Sequence, residues 1–418
     1  MATLPPPQWP SLLLLLLLPG PLPLSGMDDA AFPHLGESSR PPPRACPLRC
    51  SCPRADTVDC DGLDLRVFPD NITRAAQHLS LQNNQLQELP YNELSRLSGL
   101  RTLNLHNNLI SSEGLPDEAF ESLTQLQHIY VAQNKNNLIS KVPRGALSRQ
   151  TQLRELYLQH NQLTDSGLDA TTFSKLHSLE YLDLSNNQLT TVPAGLPRTL
   201  AILHLGRNRI RQVEAARLHG ARGLRYLLLQ HNQLGSSGLP AGALRPLRGL
   251  HTLHLYGNGL DHVPPALPRR LRALVLPHNR VAALGPRDLT ATPGLAELNL
   301  AYNRLASARV HRRAFRRLRA LRSLDLAGNQ LTRLPMGLPT GLRTLRLQRN
   351  QLRMLEPEPL ACLDQLRDLN LAHNRLRVGD IGPGTWHELQ ALQVRHTVPR
   401  ALPSPFLRYR VPNILIRE

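Results

Sequence analysis

A chain of 418 residues with 49 Lys and Arg against 31 Asp and Glu carries a formal net charge of +18 and only 4% aromatic residues. That length suits two or three ordinary domains or one repeat array, in which each unit touches only its neighbours. The charge favours polyanionic partners through attraction that salt weakens, and past the N-terminus no run of about 18 apolar residues is present to span a bilayer.

In chain order, Ser11 to Leu18 reads SLLLLLLL and leads into Pro19-Gly20-Pro21 and Ser25-Gly26. A short apolar core before small residues is the pattern of a secretory signal, so residues 1–26 are expected to be a signal peptide. Met1 to Pro10 holds no Lys or Arg, which leaves the positive charge of this region to the amino terminus. Residues 27–45 are rich in Pro and polar residues, show no period, and read as a flexible leader.

Residues 46–75 read as a cysteine-rich cap, with Cys46, Cys50, Cys52 and Cys60 in a C-x3-C-x-C-x7-C pattern. The C-x-C step lacks the C-x2-C spacing of a zinc knuckle, and an exported chain meets oxidising conditions, so disulfides are expected and no metal. Four cysteines allow three connectivities, and spacing does not choose among them. Cys362 has no evident partner: it is either a small buried residue of a repeat or a free thiol. Asn71-Ile72-Thr73 is the sole N-x-S/T sequon and marks a glycan site on the cap.

From residue 76 to 394 one template recurs, L-x-x-L-x-L-x-x-N-x-L, as in Leu100, Leu103, Leu105, Asn108 and Ile110. The L-x-L segment is a short strand with alternate residues inward, and Asn can pair backbone groups that a bend leaves open. The expected fold is an α/β repeat, a curved leucine-rich-repeat solenoid. Its parallel concave β-sheet is backed by short 3-10, polyproline or helical convex segments.

From Asn187 the turn asparagines are spaced 21, 24, 26, 21, 24, 26, 21 and 24 residues apart, a super-repeat of 71 residues. The short units carry prolines such as Val192-Pro193 and Leu196-Pro197, which exclude a helix. The long units carry segments such as GLDATTFSKL (Gly167 to Leu176) that can hold a helical turn. The rhythm breaks at 134–137. Counting forward makes Asn134 the turn residue and counting back makes it Asn137, and the phases reconcile if 18 or 89 residues are absent from an uninterrupted array. The tail, residues 395–418, contains no cysteine.

Positions beside the L-x-L residues point away from the core and include Tyr130, Tyr157, Tyr181, Asp183, His204, Tyr226, His254, Tyr256, Asn299 and Asp325. Five of the 8 tyrosines fall between residues 130 and 256. Because Tyr offers large contact area and a polar tip at low entropic cost, this strip is the expected protein-binding face. The second candidate site is Arg309, Arg312, Arg313, Arg316, Arg317 and Arg319, anchored by apolar residues at 310, 315 and 318. Guanidinium groups suit sulfate and carboxylate, so glycosaminoglycan binding is expected there.

His106, His160, His231, His278 and His373 recur just before the turn Asn, so the repeat explains them without a metal. No H-E-x-x-H, G-x-S-x-G or phosphate loop occurs, so neither an enzyme nor a cofactor is expected.

The signal, the cysteine pattern, the short-long-long rhythm and wording such as LSLQNNQLQELP and LDLSNNQLTTVP resemble the small leucine-rich proteoglycans of extracellular matrix across roughly residues 46–394. That resemblance implies collagen binding, regulation of fibril assembly, growth-factor contacts, and pairing of Cys46 with Cys52 and Cys50 with Cys60. Members usually close the C-terminal end with a disulfide, which the lone Cys362 does not allow here. Ser-Gly pairs at Ser98, Ser166 and Ser237 lack an acidic run, so no glycosaminoglycan attachment is expected. A secreted matrix protein binding collagen is therefore the expected function, with a soluble decoy for a secreted signalling protein as the alternative, and with neither nucleic acid nor membrane as partner.

Overall fold

The computed structural model describes residues 46–132 and 139–385, with 389, 391 and 392. The expected signal peptide, leader, residues 134–137 of the phase break and the 395–418 tail lie outside the described residues. The chain divides into a unit of residues 1–43 and a unit of residues 44–418, to which the following refers.

The cap begins with an antiparallel pair, β1 (Ser51–Arg54) on β2 (Thr57–Asp59). From β2 through β3 (His78–Ser80) to β15 (Asp368–Asn370) the strands pair in chain order, and each pair from β2 onward is parallel. Strand spacing follows from the template. Three residues suffice to bury one central side chain, and Leu103, Leu182, Leu203 and Leu274 are each wholly buried. Flanking residues then stand on the concave face, as alternation requires.

Each coil is fastened to its predecessor by the turn asparagine. The amide of Asn187 donates to the Leu158 carbonyl one coil back at 2.9 Å and to its own Leu184 carbonyl at 3.0 Å. Its Oδ1 accepts the Leu163 N–H at 3.0 Å. Asn208, Asn232, Asn279, Asn303, Asn329 and Asn350 repeat the arrangement, each buried. The pairing is complete because a buried unpaired backbone group costs about 1–3 kcal/mol.

The three unit lengths differ on the back. Units of 26 residues carry 3-10 turns at Asp165–Gly167, Ser236–Gly238 and Ser307–Arg309. In two of these the turn ends at the glycine that opens the segment expected to hold it. A Cβ on Gly167 or Gly238 would lie 2.0 Å from the carbonyl oxygen of Ser140 or Arg211 on the preceding coil, so these glycines let two backbones meet. True α-turns appear instead in 24-residue units, at Tyr91–Ser95 and Ala215–Leu218.

Disulfides join Cys46 to Cys52 and Cys50 to Cys60, the pairing the family resemblance implies. The cap is sealed to the first coil where Asn84 donates to the Cys60 carbonyl at 2.8 Å. Cys362 is not a buried repeat residue. It is exposed and unpaired, because it occupies the position of Lys175 and Arg317, between the buried Leu360 and Leu363, where the chain turns its side chain to solvent.

Around the phase break the strands stay in register, with Ile129 opposite Leu156 and Tyr130 opposite Tyr157. Asn161 donates to the Val131 carbonyl at 2.8 Å, which is the register counted forward from Asn134. Gln162 N–H donates to the Ile139 carbonyl at 3.0 Å, which is the register counted back from Asn137. Both phases are thus honoured, one on each side of the turn. Two features accompany this: Asn161 Oδ1 is buried with no partner among the described residues, and an apolar cavity of about 20 Å³ lies among Phe120, Val131, Ile139, Val142 and Leu158.

Candidate binding face

Tyr130 and Tyr157 occupy the third strand position on neighbouring coils, paired in register. Their rings stack with centroids 4.6 Å apart and planes 17° apart. Tyr181, at the first position of the next strand, meets Tyr157 at 4.9 Å and 34°. Three coils therefore present one continuous aromatic surface. Offset stacking of this kind contributes about 0.5–1.5 kcal/mol per pair beyond area burial.

The phenols are tied down by carboxylates. Tyr157 donates to Glu155 Oε2 at 3.2 Å and Tyr181 to Asp183 Oδ2 at 3.5 Å. Burial, with Glu155 alongside, pushes the Tyr157 phenol well above its usual range, and burial with Asp183 does the same for Tyr181. Both are held neutral as donors. His128 Nδ1 lies 3.2 Å from Glu155 Oε2, a charge contact without hydrogen-bond alignment, and helps hold that carboxyl below its usual pKa.

Asp183 is buried among these rings. Its Oδ1 accepts the Ser185 N–H at 2.9 Å and its Oδ2 faces His204 Nδ1 at 3.2 Å, while His204 Nε2 meets Gln230 Nε2 at 2.7 Å. One tautomer satisfies both contacts, with Nδ1–H donating to Asp183 and Nε2 accepting from Gln230. Burial opposes ionisation of Asp183, but the His204 and Ser185 hydrogen bonds outweigh it and hold the carboxyl below its usual pKa. Asn299 and Asp325 use an oxygen as Asp183 does, accepting the N–H two residues on from Ala301 and Ala327, each at 3.0 Å. These side chains close strand ends as well as facing outward.

The structure gathers Tyr130, Tyr157, Tyr181, Asp183 and His204, and separates the rest of the strip. Tyr226 has no ring contact among the described residues, with Ile202 and Thr252 in register beside it. His254 stands two coils beyond His204, where burial and the His204 charge lower its pKa to about 4. Tyr256 belongs to a different column: its ring meets His231 at 4.5 Å and His278 at 5.1 Å, and His278 stacks on Tyr302 at 4.6 Å. Sequence reasoning left His231, His278 and Tyr302 out because each precedes a turn Asn. At that position the backbone is left-handed, with φ of 53°, 51° and 53°, and the side chains line the downstream edge of the sheet.

Arg309, Arg312, Arg313, Arg316, Arg317 and Arg319 are exposed, while Phe315 and Leu318 beneath them are wholly buried. The cluster begins at the last residue of the 3-10 turn Ser307–Arg309, on the side away from the tyrosines. Asn71 is exposed on the cap. Among the described residues no group of three His, Cys, Asp or Glu is placed to hold a metal, and no helix is long and apolar enough to cross a membrane.

A solenoid of Asn-fastened Leu coils behind a disulfide cap defines the class, and comparison with known sequences agrees. The leucine rich repeat family matches residues 74–135, 111–163, 198–260, 269–331 and 340–394, and a two-copy form matches 151–198. The chain is 76% identical over 503 aligned residues to human podocan-like protein 1, with 98% of each covered. It is 42% identical to mouse podocan, with 87% of this chain and 75% of podocan covered, and 32% identical to rat lumican, with 52% and 69% covered. The chain belongs to the podocan-like members of the small leucine-rich proteoglycan family. A solved leucine-rich-repeat protein of Leptospira interrogans shares the architecture, with TM-score 0.64, 25% identity, and 80% and 88% covered.

One feature of the first alignment bears on the phase break. It runs over 503 positions although this chain has 418 residues, so at least 85 positions of the human relative face no residue here. Since 98% of each chain is covered, those positions are internal.

Proposed function

We propose that this chain is a secreted matrix protein that binds collagen and regulates its fibril assembly through the concave strip around Tyr130, Tyr157 and Tyr181, without catalysing a reaction. The observation that carries this reading is the unbroken contact of the three rings across adjacent coils. A collagen triple helix is a rod of polyproline-type chains, dense in pyrrolidine rings and carbonyl oxygens. Fixed rings suit it, because a ring face packs on pyrrolidine, while the Tyr130 O–H, unlike those of Tyr157 and Tyr181, has no acceptor among the described residues and is left to donate to a carbonyl. The kinship with podocan and lumican supports a matrix setting.

The test is solid-phase binding to fibrillar collagen beside a panel of secreted growth factors. Replacing Tyr130, Tyr157 and Tyr181 by Ala is expected to weaken collagen binding by roughly 100-fold, as loss of a hot-spot cluster does. Tyr226→Ala serves as the comparator and is expected to have a small effect. Unchanged collagen affinity would sink the site, and tight capture of a growth factor without collagen binding would favour the decoy reading.

A further inference from the structure

The residue that follows the first Leu of the template precedes each strand, at the upstream edge of the sheet. In the C-terminal half that position is held by Arg225, His251, Arg272, Arg322, Arg343 and Arg367, interrupted once by Ala296. In the N-terminal half it varies among Arg101, Gln127, Arg154, Glu180 and Ala201. The backbone aligns the row coil by coil. His251 N–H donates to the Arg225 carbonyl at 2.8 Å, Arg272 to His251 at 2.7 Å, Arg343 to Arg322 at 2.8 Å and Arg367 to Arg343 at 2.8 Å.

The five arginines of this row are exposed, and none forms an ion pair among the described residues. Glu297 and Asp368, on the adjoining strand positions, make no salt bridge with them either. Only Arg322 is engaged, donating to the Gly341 carbonyl at 2.9 Å. With parallel strands about 4.8 Å apart, the row runs for roughly 30 Å in single file. A fold that needed these charges for its own stability would have paired them.

We propose that this edge is a binding track for a linear sulfated, uronate-bearing polysaccharide laid across coils. Sulfate and carboxylate both accept two parallel N–H bonds from a guanidinium, which arginines recurring every one or two coils supply repeatedly. Nucleic acid is the other linear polyanion. Proteins that hold its single strands interleave aromatic rings with their basic groups, and the row contains no Tyr, Phe or Trp. The track differs from the arginine cluster at 309–319, which lies on the back, and from the tyrosine strip, which lies on the concave face.

The test uses the secreted full chain on immobilised heparin across a salt series. Replacing Arg225, Arg272, Arg322, Arg343 and Arg367 by Gln is expected to weaken binding about 100-fold and to flatten its salt dependence, since fewer counterions are displaced. Circular dichroism verifies the fold, and the pair Arg343→Gln with Arg367→Gln provides an intermediate loss should the fivefold variant misfold. Collagen binding is read alongside and is expected to be unchanged, which separates this surface from the proposed collagen face. Full heparin affinity in the row variants would overturn the track, as would loss only when Arg312, Arg313, Arg316 and Arg317 are replaced. Displacement of heparin by a single-stranded DNA of equal charge as readily as by free heparin would also overturn it.

Discussion

Asn161 donates to the Val131 carbonyl one coil back at 2.8 Å, yet its Oδ1 has no donor among the described residues, whereas the Oδ1 of Asn187 accepts Leu163 N–H at 3.0 Å. The two residues share a template position and differ by one buried hydrogen bond. Asn187→Ala is therefore expected to destabilise the array more than Asn161→Ala, by about 1 kcal/mol. Urea unfolding followed by circular dichroism measures the difference. Equal losses would mean that the orphan oxygen has no energetic consequence.

The missing partner traces to the coil in which two phases meet. Spacing allows 18 or 89 absent residues, and the at least 85 unmatched internal positions of the human relative leave room for the larger number. Transcript sequencing is expected to find a longer form with 89 further residues joining Val131 to Pro143, in which the turn asparagines keep the 21, 24, 26 order. An insertion elsewhere, or none, would contradict the phase argument.

His254 carries a pH dependence whose sign follows from its pKa of about 4. Unfolded, it titrates near 6.5, so below that value the unfolded chain takes up a proton that the folded chain refuses. Stability contributed above pH 6.5 is lost as pH falls to about 4, to the extent of about 2–3 kcal/mol. Thermal melts between pH 7 and 4 should show a shallower decline in His254→Gln. A parallel decline in both proteins would assign the effect to other groups.

Gly238→Ala is expected to destabilise the protein by about 2 kcal/mol or more, because its Cβ would meet the Arg211 carbonyl 2.0 Å away and force two coils apart. Gly99→Ala, with open space around its Cβ, is the matched control. Similar melting temperatures for the two variants would show that the close approach is dispensable.

The exposed Cys362 thiol is expected to react with a maleimide reagent in the native protein at one equivalent, while Cys46, Cys50, Cys52 and Cys60 stay protected as disulfides. Labelling only after denaturation would place the thiol inside the repeat.

The coil, its strand and its turn were legible because Leu and Asn act through nearest neighbours: Leu182 is buried and Asn187 paired for reasons local to one repeat. The long units were expected to hold a helical turn from Gly167 to Leu176, but the 3-10 turn ends at Gly167 instead, where the glycine backbone meets Ser140 of another coil, and the α-turns lie in other units. The stack of Tyr130 on Tyr157 follows from the template, which sets both at one register. Tyr256 was grouped with them on alternation alone. Its partners, His231 and His278, lie on left-handed residues whose direction a strand pattern does not express. Asp183 showed its place on the concave face but neither its burial nor its second task of closing the strand, and the choice between a buried and a free Cys362 stayed open because a small apolar residue can sit outside the buried set.

Each turn asparagine reaches only backward, so this clasp at each joint belongs to the later coil. An array built this way has a direction, like a zip with hooks on one side of each tooth. Removing or adding a whole 71-residue super-repeat brings together two faces that already match, and the cut ends need no redesign. Any other length leaves a remainder, and the 18 residues by which 89 exceeds 71 are such a remainder. The orphan oxygen of Asn161 and the small void beside Phe120 lie at the one joint where such a remainder falls.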